Sequence, residues 1–315
     1  MYTRREGRVL RHSPTWFVVC LQTEFQELGK NQNNLRMIFS SIAPSPGLRE
    51  VIRDYLIAHF RFDPAKPVPH KRYSPKPEQG ITFFVRGRPS IADPLTNEVR
   101  VAPPVAVFGQ QMKRCNVHLA PEFLMLRVHF QPGALFRALN IPLYEFGEDY
   151  FDAELILGRE VRDVTERLAT SISYAEMVET VEAYLLRNVI RAAENVLPLD
   201  RAAARLTADP VNISVDWLAR QACLSPRQFN RKFTERIGVG PKVYSRLVRY
   251  HRAYLFKAAH PAMAWPRVAI ECGYSDYQHL VRDFRQFTNA TPTTWLREDA
   301  ASPENSLRSP EPGDY

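Results

Sequence analysis

The sequence predicts an α+β protein in two parts: a strand-rich region forming a small barrel or sandwich with accessory helices, then an all-helical C-terminal region. Three observations carry this. Short β-branched and aromatic runs recur at 81–85, 99–101, 105–108, 117–119 and 124–130, broken by turn residues. From about 159 to 196 the apolar spacing is helical, through Val161, Val164, Leu168, Met177, Val181, Tyr184, Leu185 and Val189, and Pro198 ends it. Beyond Asp209-Pro210 one helical pattern occurs twice, about 50 residues apart.

Taken in order, residues 1–35 read as a poorly structured leader, with Arg4, Arg5, Arg8 and Arg11 and a polar run at 30–34; Met37 is an alternative first residue. Behind the turn Ala43-Pro44-Ser45-Pro46-Gly47, the residues Leu48, Val51, Ile52, Tyr55 and Leu56 recur at helical spacing and predict a helix. Pro64, Pro67, Pro69, Pro75 and Pro77 then enforce an irregular or extended segment. The runs 117–119 and 124–130 predict a hairpin across Ala120-Pro121-Glu122, and a helix starts at Ala134 after Gln131-Pro132-Gly133. The expected division is a regulatory domain at 36–155, a helical linker and dimerisation region at 156–204, a DNA-binding domain at 205–299 and a disordered tail at 300–315.

Charge locates the polyanion partner. The chain's formal charge is +8, yet residues 211–297 alone hold 14 Lys/Arg against 5 Asp/Glu, so the whole basic excess lies there. No apolar run reaches the ~18–20 residues of a membrane span. The run Trp16 to Leu21 is too short for a secretory signal, so a cytoplasmic location and no membrane partner are expected. Cys20, Cys115, Cys223 and Cys272 lack metal-site spacing and read as reduced packing residues. His118 and His129, eleven residues apart on the two strands of one hairpin, do not make a metal cluster, so no metal is expected. Glu145, Glu148, Asp149, Asp152 and Glu154 read as a solvated acidic face rather than an acid–base pair. With no phosphate-cradling glycine loop and no nucleophile elbow, the sequence predicts neither enzyme activity nor a cofactor.

The repeated unit points to DNA. Ser214 caps a short helix containing Leu218-Ala219, a turn follows at Ala222-Cys223-Leu224, and Ser225-Pro226 restarts a helix. Phe229 and Phe233, four apart, bury one face of that helix; Arg227, Asn230 and Arg231 lie opposite. This is helix–turn–helix patterning. In the second unit Val268-Ala269 match Leu218-Ala219, Gly273 matches Cys223, and Leu280 and Phe284 match Phe229 and Phe233. Tyr277, Gln278, Val281 and Arg282 are its expected outer positions. His279 is expected to cap or pack, and Trp217, Trp265 and Trp295 to edge the core. A helix from Pro241, ~25 Å long, separates the units. It is long enough to hold two recognition helices ~34 Å apart, one turn of B-DNA. Arg and Asn suit guanine and adenine edges. Ser225, Arg236, Lys242, Arg246, Arg249, Lys257 and Arg285 are expected at phosphates.

Residues 211–297 resemble the AraC/XylS family of transcription regulators. The resemblance rests on A-x-x-C-G-Y-x-D-x-x-H-x-x-R-x-F-x-x-F from Ala269 to Phe287 with Pro292 after it, and on L-A-x-x-A-x-L-S-x-R-x-F-x-R-x-F with Gly238-x-Gly240-Pro241-Lys242. It implies that both recognition helices bind DNA, with Arg227, Asn230, Arg231, Tyr277, Gln278 and Arg282 as base readers. Cys223 departs from the Gly that normally fills the first turn; a left-handed residue there costs ~1 kcal/mol. More loosely, Pro44–Gly47, Phe108-Gly109, Phe130-Gln131-Pro132-Gly133-Ala134-Leu135 and Ile141-Pro142 resemble the sensor domains of one AraC-like subgroup. They imply a cupin-like β-barrel with an unknown small-molecule effector. Promoter DNA and RNA polymerase are the implied partners, with a homodimer as a candidate assembly.

Overall fold

The computed structural model describes residues 37–147, 150–189, 197–211, 213–300 and 302. The expected leader, most of the tail, Glu148, Asp149 and Cys20 lie outside the described residues.

Among the described residues, ten strands form two antiparallel sheets. One has six strands in the order β1 (Met37–Ile42), β2 (Ile52–Arg61), β9 (Glu122–Phe130), β4 (Gly80–Arg86), β7 (Val105–Phe108), β10 (Tyr150–Asp152). The other runs β3 (His70–Tyr73), β8 (Cys115–His118), β5 (Ser90–Ala92), β6 (Val99–Val101). No ladder among the described strands joins them, so the expected barrel is two facing sheets that do not close, with an inner layer of Ala58, Phe60, Phe84, Ala106 and Phe123. The opposite face of the larger sheet is covered by helices α1 (Ala134–Leu139), α3 (Glu160–Thr170) and α4 (Tyr174–Asn188), with the four-residue α2 (Glu154–Leu157) between them. Val161, Val164, Leu168, Met177, Val181, Tyr184 and Leu185 bury against Tyr55, Ile57, Leu126 and Val128 there.

Two expectations fail in this region. The predicted helix after Gly47 is a single 3-10 turn, Pro46–Leu48, followed by strand β2. β2 pairs with β1 and β9 along its edges, and packing buries both its faces: Tyr55 and Ile57 go to the helices, Ala58 and Phe60 to the second sheet. An apolar run buried on both sides has no period-two signal, which is why it mimics a helix. The predicted hairpin is also absent. β8 pairs with β3 and β5 while β9 pairs with β2 and β4, so Ala120-Pro121 carries the chain between sheets. His118 and His129 consequently lie in different sheets. Strand β3, inside the proline-rich segment, was not visible in the sequence because prolines bracket only four ladder residues.

The C-terminal region is built from α5 (Pro198–Ala208), α6 (Val215–Gln221), α7 (Pro226–Ile237), α8 (Pro241–Ala259), α9 (Trp265–Glu271), α10 (Tyr277–Thr288) and α11 (Pro292–Asp299). Helix α8 is the spine. Its Tyr244 and Val248 enter a core with Leu199, Leu206, Leu218, Ala219, Phe229 and Phe233. Its Leu247, Tyr250 and Ala253 enter a second core with Val268, Ala269, Leu280, Phe284, Phe287 and Trp295. Three- and four-residue steps on one helix thus divide two cores between two faces. Among the described residues no helix is long and apolar enough to cross a membrane.

The two turns match bond for bond. Cys223 N–H donates to Arg220 O and Leu224 N–H to Ala219 O, each at 3.0 Å; Gly273 N–H donates to Ile270 O at 3.0 Å and Tyr274 N–H to Ala269 O at 2.9 Å. Cys223 holds φ +54° where Gly273 holds +77°. The non-glycine residue therefore bears the expected left-handed strain. Cys223→Gly is expected to stabilise the chain by up to ~1 kcal/mol, less the entropy a glycine adds to the unfolded state. Thermal denaturation reads this; a destabilised variant would show that Cys223 is not strained.

Candidate nucleic-acid interface

Each recognition helix starts from a side-chain cap. Ser225 Oγ accepts Gln228 N–H at 3.3 Å while Gln228 Oε1 accepts Ser225 N–H at 3.0 Å, a reciprocal capping box at α7. Asp276 Oδ1 accepts His279 N–H at 2.9 Å at α10, and His279 Nδ1 lies 2.8 Å from Asp276 Oδ2 and 2.9 Å from Ser275 Oγ. His279 thus fixes the helix start, as its position predicted. Asp276 is held below the ordinary carboxylate range by the hydrogen bonds from His279.

Burial sorts the predicted readers. Arg227, Asn230 and Arg231 on α7 and Gln278 and Arg282 on α10 are exposed, and Tyr277 is half-buried. Phe229 and Phe233 beneath the first set and Leu280 and Phe284 beneath the second are fully buried. Val281 is a correction: expected outside, it is 8% exposed and packs inward. Trp295 is wholly buried, whereas Trp217 and Trp265 are half-buried at core margins.

The predicted phosphate contacts divide. Ser225, Lys242 and Arg285 are exposed. Arg246 is half-exposed, with Nε at 2.9 Å and Nη2 at 2.6 Å from the buried Asp283 Oδ1. Arg249 lies 3.5 Å from Asp283 Oδ2 and stacks on Tyr274 at 4.4 Å. Lys257 donates to Pro261 O and Met263 O, each at 2.6 Å. Arg236 is turned to the strand-rich region: Nη1 is 3.0 Å from Asp200 Oδ1 and its guanidinium lies 4.7 Å over the Phe136 ring.

Arg236 belongs to a seam that the sequence did not reveal. Asp200 on α5, with a side chain 2% exposed, accepts Arg137 of α1 at 2.5 Å as well as Arg236. Gly133 lies so close that a Cβ there would meet Asp200 Oδ1 at 2.2 Å, which explains glycine at that position. Gln79 Nε2 donates to Ile237 O, the end of α7, at 2.7 Å. The second unit is gripped separately. Arg114 donates to Thr288 O at 3.0 Å and lies 5.5 Å over Trp295, and Glu298 pairs with Arg72 at 3.1 Å and Arg114 at 3.2 Å. These partners are far apart in sequence, and no local pattern marks them. Within the described residues no His, Cys, Asp and Glu gather as a metal site.

A polar floor underlies the cavity between the sheets. Arg127 donates to Thr82 Oγ1 at 2.9 Å, Tyr150 Oη at 3.2 Å and Glu78 Oε1 at 3.2 Å. His129 Nδ1 lies 2.7 Å from Asp54 Oδ1. Burial raises the Glu78 pKa, but His129, Lys76, Arg127 and Arg53 outweigh it and hold the carboxyl well below its ordinary value. Glu78 is therefore charged in the fold when its unfolded counterpart takes a proton. Its contribution is complete above about pH 4.3 and declines as pH falls through and below that value. Glu78→Gln is expected to flatten the fall in stability between about pH 5 and 3, measured by urea unfolding at each pH; an unchanged slope would show that Glu78 does not carry it.

Two linked helix–turn–helix units, each with a capped recognition helix bearing exposed arginines over a phenylalanine core, define a double helix–turn–helix DNA-binding protein. Residues 218–298 match the family model described as a helix-turn-helix domain, and 40–152 match one described as a domain of unknown function. By this match and the motifs of both units, residues 218–298 form an AraC-type helix–turn–helix domain, and the chain is a DNA-binding transcription regulator. No curated protein matches the chain. It is similar to ToxT of Vibrio cholerae (11% identity over 77% of this chain and 97% of that one, TM-score 0.44). It is also similar to the AdpA DNA-binding domain in complex with a target DNA (23% identity, 34% and 96%, TM-score 0.31). A third similar structure is the AraC-like activator CuxR (10% identity, 90% and 89%, TM-score 0.25).

Proposed function

We propose that the chain reads a promoter with α7 and α10 in major grooves one helical turn apart. Arg227, Asn230, Arg231, Tyr277, Gln278 and Arg282 contact bases, and Ser225, Lys242, Arg285 and the outer edge of Arg246 contact phosphates. The carrying observation is that these base-directed side chains are exposed or half-buried while the residues a turn away on the same helices form the cores. Arg236, Arg249 and Lys257 already serve intramolecular partners, so they contribute positive field more than direct contacts in this arrangement.

In this reading residues 36–155, with α3 and α4 packed on them, are the sensor, and α5 onwards is the reader, since α5 shares the first reader core. The effector site is the cavity of about 50 Å³ between the sheets, lined by Phe60, Phe84, Phe123 and Met125 with Lys71 and Arg127. Apolar walls with cationic groups suit an apolar molecule bearing an anion. Ligand sites span ~300–1,000 Å³, so an effector must bind a more open arrangement of the sheets, and regulation follows from that difference in affinity. Contact with RNA polymerase, a homodimer joined through residues 156–204, a cytoplasmic location and the absence of catalysis complete the reading.

The test is selection of bound sequences from a randomised duplex pool by the full chain, followed by affinity at several salt concentrations. Expected are two conserved blocks about one turn apart and a steep inverse salt dependence. Salt-independent binding or a single block would refute the two-helix reading.

A further inference from the structure

We propose that the cleft between strand β3 and helix α11 binds a small phosphate-bearing anion, held by His70 and Arg72 on the sensor side and by Arg297 of the second helix–turn–helix unit. This site is separate from the effector cavity and from the DNA face. The pleat of β3 divides its side chains between two uses. Lys71 and Tyr73 line the cavity between the sheets. His70 and Arg72 line an open cleft of about 240 Å³ whose other wall is Arg297 and Glu298.

The cleft gathers positive charge from both parts of the chain. His70 pairs in register with His118 on β8, their rings 5.7 Å apart. Arg72 and Arg114 both reach Glu298, at 3.1 and 3.2 Å. Two guanidiniums thus meet one carboxylate, and the exposed Arg297 adds a third positive charge on the opposite wall of the cleft. Burial first, and then the charges of Arg72, His118 and Arg114, hold His70 below the ordinary imidazole value, so it offers the anion a neutral ring N–H donor while the arginines carry the charge.

The geometry also selects the ligand. Guanidinium forks match phosphate and carboxylate oxygens. Glu298 is a tethered monoanion at high effective concentration, so a free carboxylate of equal charge gains little by competing with it. A phosphate dianion can use the charge that Glu298 leaves uncompensated. The volume lies below the ~300 Å³ lower bound of drug-sized sites, which fits phosphate with at most a small ester group. Because its ligands come from both sides, the anion bridges sensor and reader, and occupancy favours the closed seam by mass action.

The test is thermal unfolding of the full chain in inorganic phosphate, titrated against chloride at fixed ionic strength. A saturable rise in Tm is expected, with the half-saturating concentration raised about tenfold or more by Arg297→Ala, as for a lost charge-assisted bond. His70→Ala is expected to weaken it in the same direction. The rise should persist in Arg231→Ala/Arg282→Ala and in the presence of saturating duplex. No saturable rise, or one unaffected by Arg297→Ala, overturns the proposal. Loss of the rise in the Arg231/Arg282 variant, or on adding duplex, would assign the phosphate to the DNA-binding surface and equally overturn it.

Discussion

Asp200→Ala is expected to lower the stability of the chain by about 3–5 kcal/mol, the cost of stranding charges that a buried carboxylate had paired. The carboxylate is 2% exposed and joins Arg137 of the strand-rich region to Arg236 of the first recognition helix, whose side chains are themselves 6% and 13% exposed. Asp200 Oδ2 also accepts Leu197 N–H at 3.0 Å, closing the start of α5. Removing it leaves two guanidiniums facing each other across the seam. Asp200→Asn keeps the volume and an acceptor, so it should cost less. Denaturant unfolding followed by both tryptophan fluorescence and circular dichroism is the measurement. The alanine variant should also separate the two probes, because the seam no longer couples the strand-rich and helix–turn–helix regions. A loss below about 1 kcal/mol would mean that solvation replaces the carboxylate at no cost and that the seam is not held here.

Arg231→Ala combined with Arg282→Ala is expected to weaken binding to the selected site by about 2–6 kcal/mol, the sum of ~1–3 for each base-reading arginine. The two residues sit at equivalent places of separate units with separate cores, so their effects should add within a few tenths of a kcal/mol. Both are exposed, so folding should be unchanged and the loss is one of recognition. The discriminating measurement is the ratio of specific to random duplex affinity. That ratio should collapse, whereas the salt slope should change little. Equal weakening on both duplexes, with the slope reduced by about two, would place both arginines on phosphates instead.

The recognition helices and their exposed faces were legible because helix–turn–helix chemistry is local. Ser225-Pro226, Ser275-Asp276, Cys223 and Gly273 set caps and turns within a few residues, and the phenylalanine spacing then fixes which side chains remain outside. Val281 escaped that logic: its periodic position is at the edge of the buried face, and only neighbouring packing decided that it turns inward. β2 and the supposed hairpin failed because strand identity and pairing depend on which sheet receives a residue, and nothing near Tyr55 or Pro121 records the partner strand.

The two helix–turn–helix units, their basic surplus and their capped helices all follow from short-range geometry and from charge, which need no fold to count. Only long-range packing makes the strands two facing sheets, sets Asp200, Gln79, Arg114 and Glu298 between the strand-rich and helix–turn–helix regions, and turns Arg236 to the seam. Distance along the chain separates the two cases. Arg114 and Glu298, or Gln79 and Ile237, carry no mutual pattern until burial removes water and leaves each buried charge and hydrogen-bonding group to find its partner.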